Sequence, residues 1–162
     1  MVTGASSGIG RALATELAQA NINLVLVGRG VTELDRLAAE LSKDCGVECR
    51  VVMFDLSEAN CIDVLQRSTG DLEVGLLIAS AGFGTSGAFL NNPIDPVLEM
   101  LNVNCRALMA LSLHFGKRLA QRGSGGLVLM VPSWAFKEHC GLRITRQPKR
   151  TSRYLQRDWE GN

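Results

Sequence analysis

Thr3-Gly4-Ala5-Ser6-Ser7-Gly8-Ile9-Gly10 runs straight into an apolar-periodic segment, with Ile9, Leu13 and Leu17 four residues apart. That period predicts a helix ending near Asn21. The three glycines suit a backbone that must approach a phosphate closely. Gly4 permits a tight turn, Gly8 keeps a side chain out of the ligand's path, and Gly10 lets the helix pack on the preceding strand. A helix beginning here aims its unpaired N–H groups over the loop, which favours a pyrophosphate. The spacing is Gly-x3-Gly-x-Gly, distinct from the commoner Gly-x-Gly-x2-Gly. Met1-Val2 is all that precedes the loop, so the strand it requires is clipped to a stub.

Beyond the loop, strand and helix patterns alternate. Asn23–Arg29 is a short apolar run, the pattern of a strand buried on both faces. Thr32 with Asp35 resembles a helix N-cap, Leu34, Leu37, Ala38 and Leu41 mark the helix, and Gly46 can end it. Val47–Leu56 reads as a third strand, Ser57–Ser68 as a helix and Val74–Ala81 as a fourth strand. Pro96 sits near the start of a long helix reaching about Arg122, and Gly126–Ser133 reads as a fifth strand. Such alternation predicts an α/β fold with a doubly wound parallel sheet of about five strands.

The 162 residues suit one domain, and 46% apolar with 20% charged residues are globular values. No apolar run reaches the length of a membrane span, and no signal-peptide pattern opens the chain; a cytoplasmic protein is expected. Five cysteines (45, 49, 61, 105 and 140) form no Cys-x2-Cys pair, so reduced thiols are expected in preference to zinc or disulfides. The net charge of +1 conceals an asymmetry. Residues 1–136 carry 10 Lys/Arg against 13 Asp/Glu, whereas residues 137–162 carry 7 against 3. The division is therefore an acidic body, 1–136, and a basic irregular tail, 137–162.

With its Thr and its Ala-Ser-Ser filling, the loop resembles the cofactor loop of the short-chain dehydrogenase/reductase family. Later segments fall where that family needs them. The resemblance implies a Rossmann-like NADP-binding domain over residues 1–136 and hydride transfer between NADP(H) and a small carbonyl or alcohol substrate. It also implies a cofactor set of Thr3, Gly4, Ser6, Ser7, Gly8, Ile9, Gly10, Arg29, Asp55, Leu56, Ala81 and Gly82. Ser6 and Ser7 can donate hydroxyl bonds to phosphate or ribose. Arg11 sits beside the cofactor or in solvent. Arg29 ends the second strand, facing the adenosine ribose, where its planar charged fork suits a 2′-phosphate and favours NADP over NAD. Asp55 can accept from the adenine amino group, or cap the next helix. Ala79-Ser80-Ala81-Gly82 stands where the family has Asn-Asn-Ala-Gly, which puts the tie between neighbouring strands in doubt. Asn104 aligns with the Asn that kinks the long helix and holds a relay water, and Ser133 with the Ser that orients the substrate carbonyl. No metal site is implied.

The pattern then breaks. The family's Tyr-x3-Lys should begin about a dozen residues after Ser133. Positions 145 and 146 are Thr and Arg, and the sole Tyr, Tyr154, is followed four residues later by Asp158. A phenol of pKa about 10 with no Lys nearby is a poor proton donor at neutral pH. From Arg143 to Thr151, a shifted reading frame permits Asn-Tyr-Ala-Ala-Thr-Lys-Ala-Tyr, so a slip of frame soon after Phe136 is expected. The family's later strands, substrate loop and helical oligomer interface would then be missing. A reductase inactive as written is the first reading, and a non-catalytic NADP-binding or interaction protein is the alternative. A methyltransferase is weaker, since it leaves Asn104 and Ser133 coincidental. A nucleic-acid or membrane partner for the tail is disfavoured by its scattered Arg and few aromatics.

Overall fold

In the computed structural model, which describes residues 1–86 and 89–130, strand β2 (Leu24–Gly28) is buried along its whole length. Its continuous apolar sequence requires cover on both faces, and it has it. Leu24 and Leu26 enter one core with Leu34, Leu37 and Leu41, while Val25 and Val27 enter a second with Leu65, Leu111 and Phe115. The sheet order is β3-β2-β1-β4-β5, built from β3 (Cys49–Met53), β2, β1 (Val2–Thr3), β4 (Leu76–Ala79) and β5 (Gly126–Leu129). Every pairing is parallel. The fold is thus the doubly wound α/β sheet that the alternation predicts.

The two-residue strand β1 holds the centre. Val2 and Thr3 pair with Leu26 and Val27 on one side and with Ile78 and Ala79 on the other. Helices α1 (Gly8–Gln19) and α2 (Val31–Cys45) supply the first core. Helices α3 (Cys61–Thr69) and α5 (Leu108–Arg122) supply the second. The long helix is not one α-helix: α4 (Ile94–Leu101) passes through a π-helical segment, Asn102–Ala107, into α5. Ile94, Leu98, Leu101, Met109 and Leu113 stay exposed along it.

Several local expectations are corrected. Helix α1 buries Gly10, Ala14 and Ala18, whereas Ile9 is 60% exposed. The small residues face the sheet because the helix lies too close to admit larger ones. Helix α2 starts at Val31 behind Gly30, so Thr32 is inside the helix and is not its cap. Gly46 does end it. Helix α3 starts at Cys61 behind Asn60, so Asp55 and Ser57 cap no helix. They form a turn instead: the Ser57 N–H donates to Asp55 Oδ1 at 2.8 Å and the Glu58 N–H to the Asp55 carbonyl at 3.2 Å.

Backbone packs closely on backbone at Gly10. A Cβ there would meet the Gly4 carbonyl oxygen, with the Gly4 carbon only 2.8 Å away. Backbone cannot yield as a side-chain tip can, so Gly10→Ala should lower unfolding free energy by about 1–3 kcal/mol. Urea denaturation checks this; an unchanged midpoint would refute the close packing.

His114 sets a pH dependence. Its Nε2 is buried without a hydrogen-bond partner among the described residues, and its ring meets Phe115 edge-on at 4.9 Å. Burial, then the nearby Arg118 charge, push its pKa below the ordinary 6.5. The unfolded chain therefore takes up the proton first, so stability is complete above that value and falls as pH drops through it. Urea midpoints should fall between pH 7.5 and 5.5, and fall less in His114→Gln.

Candidate functional site

The parallel strands end together, and the loops that leave β1 and β4 meet there. These two strands are neighbours, yet β1 leads to β2 on one side while β4 leads to β5 on the other. A crevice at such a switch point is where open α/β sheets take ligands. Gly4, at φ +68°, lies so close to Ala81 that a Cβ would stand 2.8 Å from the Ala81 Cα. The Thr3 hydroxyl accepts from the Ser80 and Ala81 N–H groups, each at 3.2 Å. Thr3 is 1% exposed. Its side chain therefore supports the loop from below, and supplies a tie between strands where the altered Ala79-Ser80 sequence left one in doubt.

The loop fits a phosphate. Ser7 precedes α1 in extended conformation and makes no side-chain cap bond, which leaves the first-turn N–H groups without a side-chain acceptor. Ser7, Gly8 and Ile9 are exposed, and nothing lies within 4 Å of a Cβ built on Gly8. Ser6 sits beside Gly28, with its Oγ 3.4 Å from where a Cβ would stand. Arg11 pairs with Glu40 of α2 at 3.0 Å.

Arg29 and Asp55 come together from the ends of β2 and β3. Arg29 Nη1 lies 3.6 Å from Asp55 Oδ2 and 3.1 Å from Glu99 Oε1 of α4. Its guanidinium carbon is 5.9 Å from the centre of the Phe83 ring. Desolvation opposes ionisation of Asp55, but bonds from Ser57 and the Arg29 charge outweigh it and hold the carboxyl below the usual range. Leu56 turns its side chain into the core, leaving only its backbone to face a ligand. Phe83 and Glu99 were not singled out in the sequence. An aromatic just after Ala81-Gly82 was the available signal for Phe83; nothing in the sequence signals Glu99, which is 70 residues from its partner.

Asn104 lies in the π-helical segment. Such segments often occur at functional sites. Its Oδ1 accepts from the Phe83 N–H at 3.1 Å, and its Nδ2 donates to the Phe83 carbonyl at 2.7 Å. The amide that makes Asn a poor interior helix residue is thus used to hold the strand-β4 loop. Ser133, Tyr154, the boundary at Phe136, Cys140 and the basic tail lie outside the described residues. Among the described residues no helix is long and apolar enough to cross a membrane, and no group of His, Cys, Asp or Glu could hold a metal ion.

The model of the family described as short chain dehydrogenase matches residues 1–142. A 7beta-hydroxysteroid dehydrogenase of Clostridium sardiniense is 30% identical over 142 residues, 86% of this chain and 54% of that protein. The bulky-bulky ketone specific alcohol dehydrogenase of Comamonas testosteroni superposes with a TM-score of 0.81 at 33% identity, over 88% of this chain and 58% of that one. A short-chain dehydrogenase of Sphingobium yanoikuyae, solved with NADPH, gives 0.78 at 34%, over 83% and 53%. The chain belongs to the short-chain dehydrogenase family of oxidoreductases. It spans about half the length of the curated relatives it matches.

Asn104→Ala should remove both bonds to the half-buried Phe83 backbone and cost about 1 kcal/mol. Hydrogen exchange checks it: the Phe83 amide should lose protection, while amides of β2 keep theirs.

Proposed function

We propose that the chain carries the NADP-binding half of a short-chain dehydrogenase whose reaction moves a hydride between NADP(H) and a carbonyl or alcohol. The observation that carries this is the glycine loop at the β1/β4 crevice with Arg29 exposed at the end of the next strand. When bound, a nicotinamide cofactor supplies or accepts the hydride. The backbone of Gly4–Gly10 and the first turn of α1 hold the pyrophosphate, assisted by the Ser6 and Ser7 hydroxyls. Arg29 pairs with a 2′-phosphate. Asp55 accepts from the adenine amino group, and the Leu56 backbone lies beside it. Ala81 and Gly82 keep the nicotinamide side open, as does Ile9 at the helix start.

On the catalytic side, Asn104 fixes the loop after β4, and Ser133 donates to the substrate oxygen. The proton has no donor matched to neutral pH, because Tyr-x3-Lys is absent from residues 1–162. That absence favours a second reading in the same chain: a protein that binds NADP without turning substrate over.

Calorimetry should show NADP+ binding more tightly than NAD+, and Arg29→Gln should remove about tenfold of that preference, as for a charged hydrogen bond. NADPH should not be consumed with a panel of ketones and aldehydes. Equal affinity for the two cofactors overturns the NADP assignment, and turnover overturns the non-catalytic reading.

A further inference from the structure

Arg29 is not a free cation waiting at the crevice. It follows β2, whereas Glu99 sits on α4, beyond β4, and β1 lies between those two strands. The Arg29–Glu99 pair at 3.1 Å therefore links elements from opposite flanks of the central strand. Glu99 belongs to neither hydrophobic core; its side chain is 41% exposed and reaches the guanidinium. Asp55 stands further off, with its Oδ2 at 3.6 Å from the guanidinium while its Oδ1 accepts from the Ser57 N–H. Phe83, held by both amide atoms of Asn104, lies against the same guanidinium.

We propose that Glu99 is a specificity-setting residue of the cofactor site: its carboxylate takes the position of anionic partner to Arg29, in competition with a 2′-phosphate. This rests on the assignment of Arg29 to that phosphate. Binding of the phosphorylated cofactor exchanges one anion for another at Arg29. The gain is then the difference between two charge pairs, and the preference for NADP over NAD is smaller than an unpaired Arg would give. NAD+, with a hydroxyl in place of the phosphate, leaves the pair intact and does not feel the competition. Glu99 thus acts on the choice of cofactor through Arg29 and not on hydride transfer.

Calorimetric titration of the full chain with NADP+ and NAD+ tests this in wild type, Glu99→Gln, Arg29→Gln and the double variant. An exposed ion pair is weak, so Glu99→Gln should tighten NADP+ binding by about 2- to 5-fold and leave NAD+ affinity unchanged. In the Arg29→Gln background the gain should vanish. Glu99→Ala should repeat the result, and thermal midpoints confirm that each variant is folded. Unchanged or weaker NADP+ binding in Glu99→Gln overturns the competition while leaving the NADP site standing. A gain that persists without Arg29 also overturns it, since Glu99 would then repel the phosphate directly. Absence of NADP+ binding in every protein overturns both the competition and the site.

Discussion

Helix α1 can lie against the end of β1 only because residue 10 carries no side chain. The Gly4 carbonyl and Gly10 share a space into which a single methyl group does not fit. Gly4 is pressed from the other side by the Ala81 backbone. Three segments, the β1 loop, the start of α1 and the exit of β4, thus meet through close backbone contacts, with the Thr3 hydroxyl adding a side-chain tie between β1 and the β4 exit. Their separation is set by covalent geometry and not by adaptable side chains. Ala14 and Ala18 continue the same close approach along α1.

From that junction a chain of contacts leads outward. Thr3 holds Ser80 and Ala81, and Asn104 holds Phe83 two residues further on. The Phe83 ring abuts Arg29, which in turn meets Glu99 and Asp55. The start of the loop after β4, from Ser80 to Phe83, is therefore held by side chains from two distant segments. Asn104 reaches it from the π-helical segment in which α4 passes into α5. The placement joins the ends of β2 and β3 to helix α4 and the π-helical segment.

Some of this was legible from composition and period. The apolar run of β2 demanded two covered faces and has them. Gly46 ends α2 where expected, and Asn104 was marked by being out of place in a helix. Local caps were legible only in part. Thr32 and Ser57 have good capping chemistry, yet α2 begins two residues before a Thr32 cap would allow, and the chain spends Asp55 and Ser57 on a turn. Cap preference is worth about 1 kcal/mol. Burial of Leu34, Leu37 and Leu41 outweighs it and sets where α2 lies against the sheet. The apolar spacing of Ile9, Leu13 and Leu17 likewise located the helix, and Leu13 and Leu17 pack on the core, but the deepest positions go to Gly10, Ala14 and Ala18, where closeness to the sheet selects small residues and Ile9 is left exposed.

By itself the sequence determined the parallel α/β order and the glycine loop between β1 and α1. These depend on spacing within a few residues, where period and glycine placement act directly. Tertiary structure alone decided that Thr3 ties the strands, that Asn104 grips Phe83 and that Arg29 meets Glu99. Each of these pairs lies more than 20 residues apart in the chain. Such partners are chosen by which strands the fold makes neighbours, a constraint that no local pattern of residue types contains.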